Sequence, residues 1–150
     1  MKKFHFPLRP VGVLRSHREL RAREVFAAAV HEYVRTEERL ANIRTRLADF
    51  EEMLFAGRSV SFVAADAASL FKAYRMECQA AMEAEHVVIE AREVMHKRRS
   101  EYIEANRQLK VVERLEERAR LRHRAEATRA DQKELDEFAG YRASRRIFLT

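Results

Sequence analysis

Tryptophan is absent from this chain of 150 residues, cysteine occurs once, proline twice and glycine three times. Each shortage excludes something. A lone Cys78 excludes an internal disulfide and a cysteine metal cluster, and on a helix a single thiol is a small buried or flanking group with no redox role. Both prolines, Pro7 and Pro10, fall near the start, so nothing later breaks a helix in the way proline does. Three glycines are too few for a phosphate-cradling loop, and no nucleophile elbow is present. No stretch approaches 18 consecutive apolar residues, so no segment reads as a membrane span. The opening Met1-Lys2-Lys3 has the charge of a signal peptide's first region, but no apolar stretch follows before Arg9 and Arg15. A soluble, cytoplasmic protein is expected.

What the chain does have is charge, 36% of its residues, and two heptad ladders. Phe26, Tyr33, Leu40, Leu47 and Leu54 repeat every seven residues, with companions Ala22, Ala29, Thr36, Ile43 and Phe50. After a break, Tyr74, Ala81, Val88, Met95, Tyr102 and Leu109 repeat in the same way. Their companions are Leu70, Glu77, Ala84, Ala91, Arg98, Ala105 and Val112, rich in alanine and interrupted by two charges. A stripe held in phase over many heptads stays against a neighbouring helix, and small residues facing large ones let two seams interdigitate. The expected fold is all-α, two long helices forming an antiparallel coiled-coil hairpin with the second helix longer, in one domain spanning 1–150. Helix 1 is expected over about 10–56, the connection over 57–66 and helix 2 over about 67–140. Asp66 is the expected N-cap of the second helix and Gly140 its end, while Gly12 weakens the first turns of helix 1 by about 1 kcal/mol. Folding back antiparallel brings Tyr33 near Val88 and Phe26 near Met95 or Tyr102. The stretch from about Leu115 onward then overhangs unless Phe4-His5-Phe6-Pro7-Leu8 lies along it.

The charge is distributed unevenly. The first 23 residues hold seven Lys and Arg against one Glu, residues 24–104 hold 11 basic and 15 acidic, and residues 105–150 hold 12 basic and eight acidic. In a hairpin both basic segments meet at one end, a polarity suited to steering toward an acidic partner. The competing reading is that these charges only solvate helix faces. On charge alone, Lys2, Lys3, Arg118, Arg120, Arg122 and Arg124 are the candidate partner-facing cations. Met82, Ile89 and Ile103 fall one position after the second ladder and point away from the first helix, which makes them candidate partner-binding residues, although single exposed apolar residues are common. Val87 and Val94 flank the seam more closely.

Catalytic chemistry has no foothold in the sequence. The pairs Glu83/His86 and Glu93/His96 have the Glu-x-x-His spacing of di-iron bundles. They share one helix, lie about 15 Å apart along it and differ by some 80° in direction, so they cannot close on one metal. His31-Glu32 lacks the second histidine of a zinc motif. No active site, cofactor or metal is expected.

Three stretches resemble the flagellar export protein FliJ family: Phe4-His5-Phe6-Pro7-Leu8-Arg9-Pro10-Val11 with Leu14-Arg15 after it; Asn106-Arg107-Gln108-Leu109 running to Val112-Glu113-Arg114-Leu115; and Asp131-Gln132-Lys133-Glu134-Leu135-Asp136-Glu137-Phe138-Ala139. The resemblance covers nearly the whole chain and the last stretch is its most specific part. It implies a non-enzymatic stalk of the flagellar type III protein export apparatus. Such a stalk inserts its terminal end into the hexameric export ATPase and contacts the export gate membrane protein and export chaperones. It also implies a role in flagellum assembly, motility and chemotaxis, and peripheral association with the inner face of the cell membrane through that apparatus. A monomer is expected, with no nucleic-acid partner. The rivals are the equivalent stalk of a virulence type III secretion system and, from another class, a basic leucine-zipper-like dimer. In the second, Arg15, Arg18, Arg21 and Arg23 precede the Leu40, Leu47, Leu54 ladder. The zipper reading leaves the second helix unexplained and lacks an Asn among those arginines to read a base edge.

Overall fold

The computed structural model describes residues 3–57 and 63–147, the last five as backbone only. Two helices account for almost all of it: α1 (Arg9–Gly57) and α2 (Ala64–Ile147), the second far longer and antiparallel to the first. Residues 58–62 of the expected connection lie outside the described residues. The chain divides into two compact units, Leu20–Glu104 on the one hand and Met1–Glu19 with Ala105–Thr150 on the other.

Unit Leu20–Glu104 is the coiled coil that the ladders predict. Every α1 ladder and companion position from Ala22 to Leu54 is buried or half-buried, and so is every α2 position from Leu70 to Tyr102. Leu40, Ile43, Ala81 and Val88 form its most buried centre. Thr36, the polar exception on α1, is buried because its hydroxyl donates to the Tyr33 carbonyl at 2.7 Å. The two charges that interrupt the α2 seam are both paired. Glu77 receives Arg46 from α1 at 2.6 Å, and Arg98 reaches Glu101 one turn on at 2.9 Å.

Register is set by rings and ion pairs. Phe26 stacks on Tyr102 with centroids 6.0 Å apart and planes 10° from parallel, Arg44 meets Glu85 at 2.9 Å, and the Tyr74 hydroxyl donates to Glu51 at 3.1 Å. In this register Tyr33 faces Arg92, whose guanidinium lies 5.7 Å from the ring and donates to the phenol at 3.3 Å. Val88 instead shares a groove with Leu40. Phe26 thus meets Tyr102, one of its two expected partners, and with Leu40 beside Val88 this places Tyr33 level with Met95, one heptad from the expected Val88.

In the second unit the seam continues, partly through residues that are not apolar. Gly12, Arg15 and Glu19 extend the α1 stripe, and Leu109, Val112, Glu116, Ala119 and His123 extend that of α2, all buried or half-buried. Arg15 donates to the Gln108 carbonyl at 2.9 Å. A Cβ on Gly12 would lie 3.3 Å from Cγ1 of Val112, so this glycine sits at a close approach of the two helices. The helix start is intact despite Gly12: the Arg9 N–H donates to the Phe6 carbonyl at 3.2 Å and the Gly12 N–H to that of Leu8 at 3.0 Å. Pro10 falls in the first turn, where its missing N–H would have had no partner.

Two boundary expectations are corrected. Val63, not Asp66, occupies the N-cap of α2, since its carbonyl accepts the Asp66 and Ala67 N–H groups at 3.0 and 3.2 Å. Asp66 lies inside the first turn, where its charge faces the positive end of the helix dipole. Gly140 does not end α2, which continues to Ile147; its φ is negative and nothing lies within 4 Å of its Cβ direction. A solvent-facing glycine costs a helix about 1 kcal/mol, which the helix formers around it outweigh.

Candidate functional site

The terminal unit is closed by a short N-terminal strap. Phe4 meets His123 edge-on with centroids 5.5 Å apart, and the Arg120 guanidinium lies over the Phe4 ring at 5.7 Å. Phe6 is buried at 7% exposure. Arg120 is held in turn by Glu116 at 2.6 Å. The chain thus covers α2 as far as His123, the exception that the overhang expectation allowed for. Beyond Ala127 every residue through Arg142 is exposed, including Leu135, Phe138 and Tyr141.

The four arginines do not form one patch. At 3.6 residues per turn, Arg118 and Arg122 share one side of α2 while Arg120 and Arg124 lie roughly opposite. All four are exposed, but Arg120 is engaged by Phe4 and Glu116 and so serves the strap. Lys3 is exposed beside Phe4, and Lys2 lies outside the described residues. This unit holds 17 Lys and Arg against nine Asp and Glu, so it gathers both basic segments of the sequence.

In unit Leu20–Glu104, Met82, Ile89 and Ile103 are all more than half exposed on α2. Ile89 lines a groove with Leu40, Val88 and the Arg44–Glu85 pair, while Val87 lines another with Thr36 and Ile43. The three residues are not joined into one continuous patch, because Arg75 and His96 occupy the same heptad position between and beside them. The same unit has 13 basic and 15 acidic residues.

Among the described residues no group of three or more His, Cys, Asp or Glu converges to hold a metal. His86 Nδ1 lies 3.2 Å from Glu90, one turn along, and not at Glu83. Hydrogen bonding to the Cys78 thiol, and then to the Glu51 carboxylate, pushes the Tyr74 phenol up to about 12, so it stays a neutral donor. No described helix is long and apolar enough to cross a membrane.

A family model described as flagellar FliJ protein matches residues 4–147. The chain belongs to the FliJ family. No curated protein and no solved structure matches it. For this FliJ-family chain the match covers the strap, both helices and the exposed end of α2, so the two compact units both belong to the family's pattern. Membership makes it a stalk-like protein of flagellar or type III export.

Phe4, Phe6, Gly12, Arg15, Glu19, Glu116 and His123 were absent from the sequence-derived site. The signal that could have found them is the phase of the heptads carried past the last apolar residue: Gly12 and Glu19 are two heptads and one heptad before Phe26, and Glu116 and His123 are one and two after Leu109.

Proposed function

We propose that this chain is a non-enzymatic, soluble stalk of the flagellar type III export apparatus. Its terminal unit engages the hexameric export ATPase, and the protein links that ring to the export gate and to substrate chaperones. The observation that carries this reading is the concentration of basic charge in one compact unit made from both ends of the chain, with a net of +8 against −2 for unit Leu20–Glu104. Such a charge steers association with an acidic socket and holds it without one fixed contact. Arg118, Arg122 and Arg124 are the ring-facing cations, with Lys2 and Lys3 contributing from the strap end. Met82, Ile89 and Ile103 serve the gate or chaperone contacts.

The zipper reading loses its basis, because the Leu40, Leu47, Leu54 ladder is covered by α2 of the same chain. The virulence-system stalk shares this fold and mechanism, and family membership favours the flagellar system.

The test is ATP hydrolysis by the export ATPase of the same organism, with and without this protein, at low and high salt. Stimulation that weakens with salt and is lost on reversing Arg118, Arg122 and Arg124 to Glu supports the reading. Arg120 is left intact, since its reversal would also detach Phe4. An ATPase that assembles but is not stimulated sinks the ring contact.

A further inference from the structure

One side of the terminal unit is apolar and carries cations only. Counted in heptads, Val11, Leu14 and Arg18 hold the positions that Glu32, Arg35 and Arg39 hold in the other unit, and Val111 and Leu115 those of Glu83 and Val87. Those five counterparts line a groove between α1 and α2 there. In that groove the flanks are charged and of mixed sign. In the terminal unit the same positions are Val11 and Leu14 on α1 and Val111 and Leu115 on α2, between 37% and 51% exposed.

The charge around this face is of one sign. Arg18 on α1 and Arg118 and Arg122 on α2 rim it, the last two a few residues along the same side. Within this unit the nearby carboxylates face elsewhere; Glu104, one heptad before Val111, is the acidic residue just beyond the unit's edge. Glu113 and Glu117 occupy the heptad positions of Glu85 and Ile89, which line the opposite groove. Glu19 and Glu116 lie in the seam itself, Glu116 held by Arg120.

We propose that this groove receives one amphipathic helix of a partner protein, with an apolar stripe flanked by Asp and Glu, lying along Val11, Leu14, Val111 and Leu115. A helix is the occupant that the spacing fits. The open apolar residues repeat every three or four positions on each wall, which is the interval at which a third helix presents its own side chains. A membrane surface would favour cations and apolar groups spread over both sides, whereas the opposite side carries Glu113 and Glu117. The assignment of that helix to a ring, gate or chaperone rests on the function proposed above; the chemistry of the face does not.

The test uses the full chain and a fluorescein-labelled synthetic helix with Leu at heptad a and d positions and Glu at e and g. Two control peptides accompany it, one with the same composition scrambled and one with Lys replacing Glu. Anisotropy should show binding of the striped acidic peptide alone. The double variant Leu14→Ser with Val111→Ser should weaken it about tenfold or more. Reversing Arg118 and Arg122 to Glu should weaken it and remove its salt dependence. Val13→Ser and Lys110→Glu, which lie away from this groove, should leave it unchanged, and circular dichroism verifies that each variant is helical.

Equal binding of the scrambled peptide, or equal losses from the control variants, overturns the proposal. So does concentration-dependent dimerisation abolished by Leu14→Ser with Val111→Ser, which would make the face a contact between copies, or binding to anionic lipid vesicles with no response to the striped peptide. Peptide binding that is lost in the double variant while ATPase stimulation persists supports the groove and assigns its helix to a partner other than the ring.

Discussion

Gly12 is the residue at which backbone and packing compete. Adding a methyl group there gains about 1 kcal/mol of helix propensity, but the methyl must settle 3.3 Å from Cγ1 of Val112, which is itself only 4% exposed. Gly12→Ala should therefore stabilise the chain by less than the full propensity gain, and by the full gain once Val112→Ala has made room. A double-mutant cycle followed by urea denaturation reads that difference directly, and strict additivity would refute the close approach. Gly140 is the counterpart without a neighbour, so Gly140→Ala should gain close to the full propensity, seen as slower amide exchange around residues 136–144. In the centre of the coiled coil Ile43→Ala should cost about 2–4 kcal/mol, because its side chain is 4% exposed and a neighbouring helix cannot fully collapse onto the gap.

At the level of elements, the apolar ladders made the hairpin legible and stopped where polarity began. Between Ala22 and Tyr102 each apolar position in the heptad frame was a packed position, since burial between two helices selects for hydrocarbon. Past those limits Arg15, Glu19, Glu116 and His123 occupy the same frame without being apolar, and a reading by hydrophobicity alone loses the phase. The strap was legible only as an option, because two phenylalanines ahead of a proline do not say which surface they cover. The arginine group was legible as charge but not as geometry, for helical phase separates residues two apart by more than half a turn. The strap makes its own prediction. Phe4→Ala or Arg120→Ala should raise amide exchange over residues 116–123 and leave residues 81–95 unaffected. Arg120→Lys should resemble Arg120→Ala, because an ammonium lacks the flat face that lies over Phe4.

At the level of the whole molecule, charge follows the division into units, with the excess of cations in the unit built from the chain's two ends. Its association with an acidic partner should fall steeply with ionic strength, whereas the thermal midpoint of the isolated protein should change little, since the centre of its coiled coil is mainly apolar and its surface ion pairs are worth under about 1 kcal/mol each. Parallel binding and melting measurements across a salt series would separate the two. The joining of Phe4 to His123 also orders events in time. Every contact inside Leu20–Glu104 can form once residue 104 has been made, but the first residues to leave the ribosome wait for the synthesis of 119 more before their cover exists. A nascent chain would thus hold its coiled coil first and its cationic, partner-seeking surface last, so that only a nearly finished protein presents it.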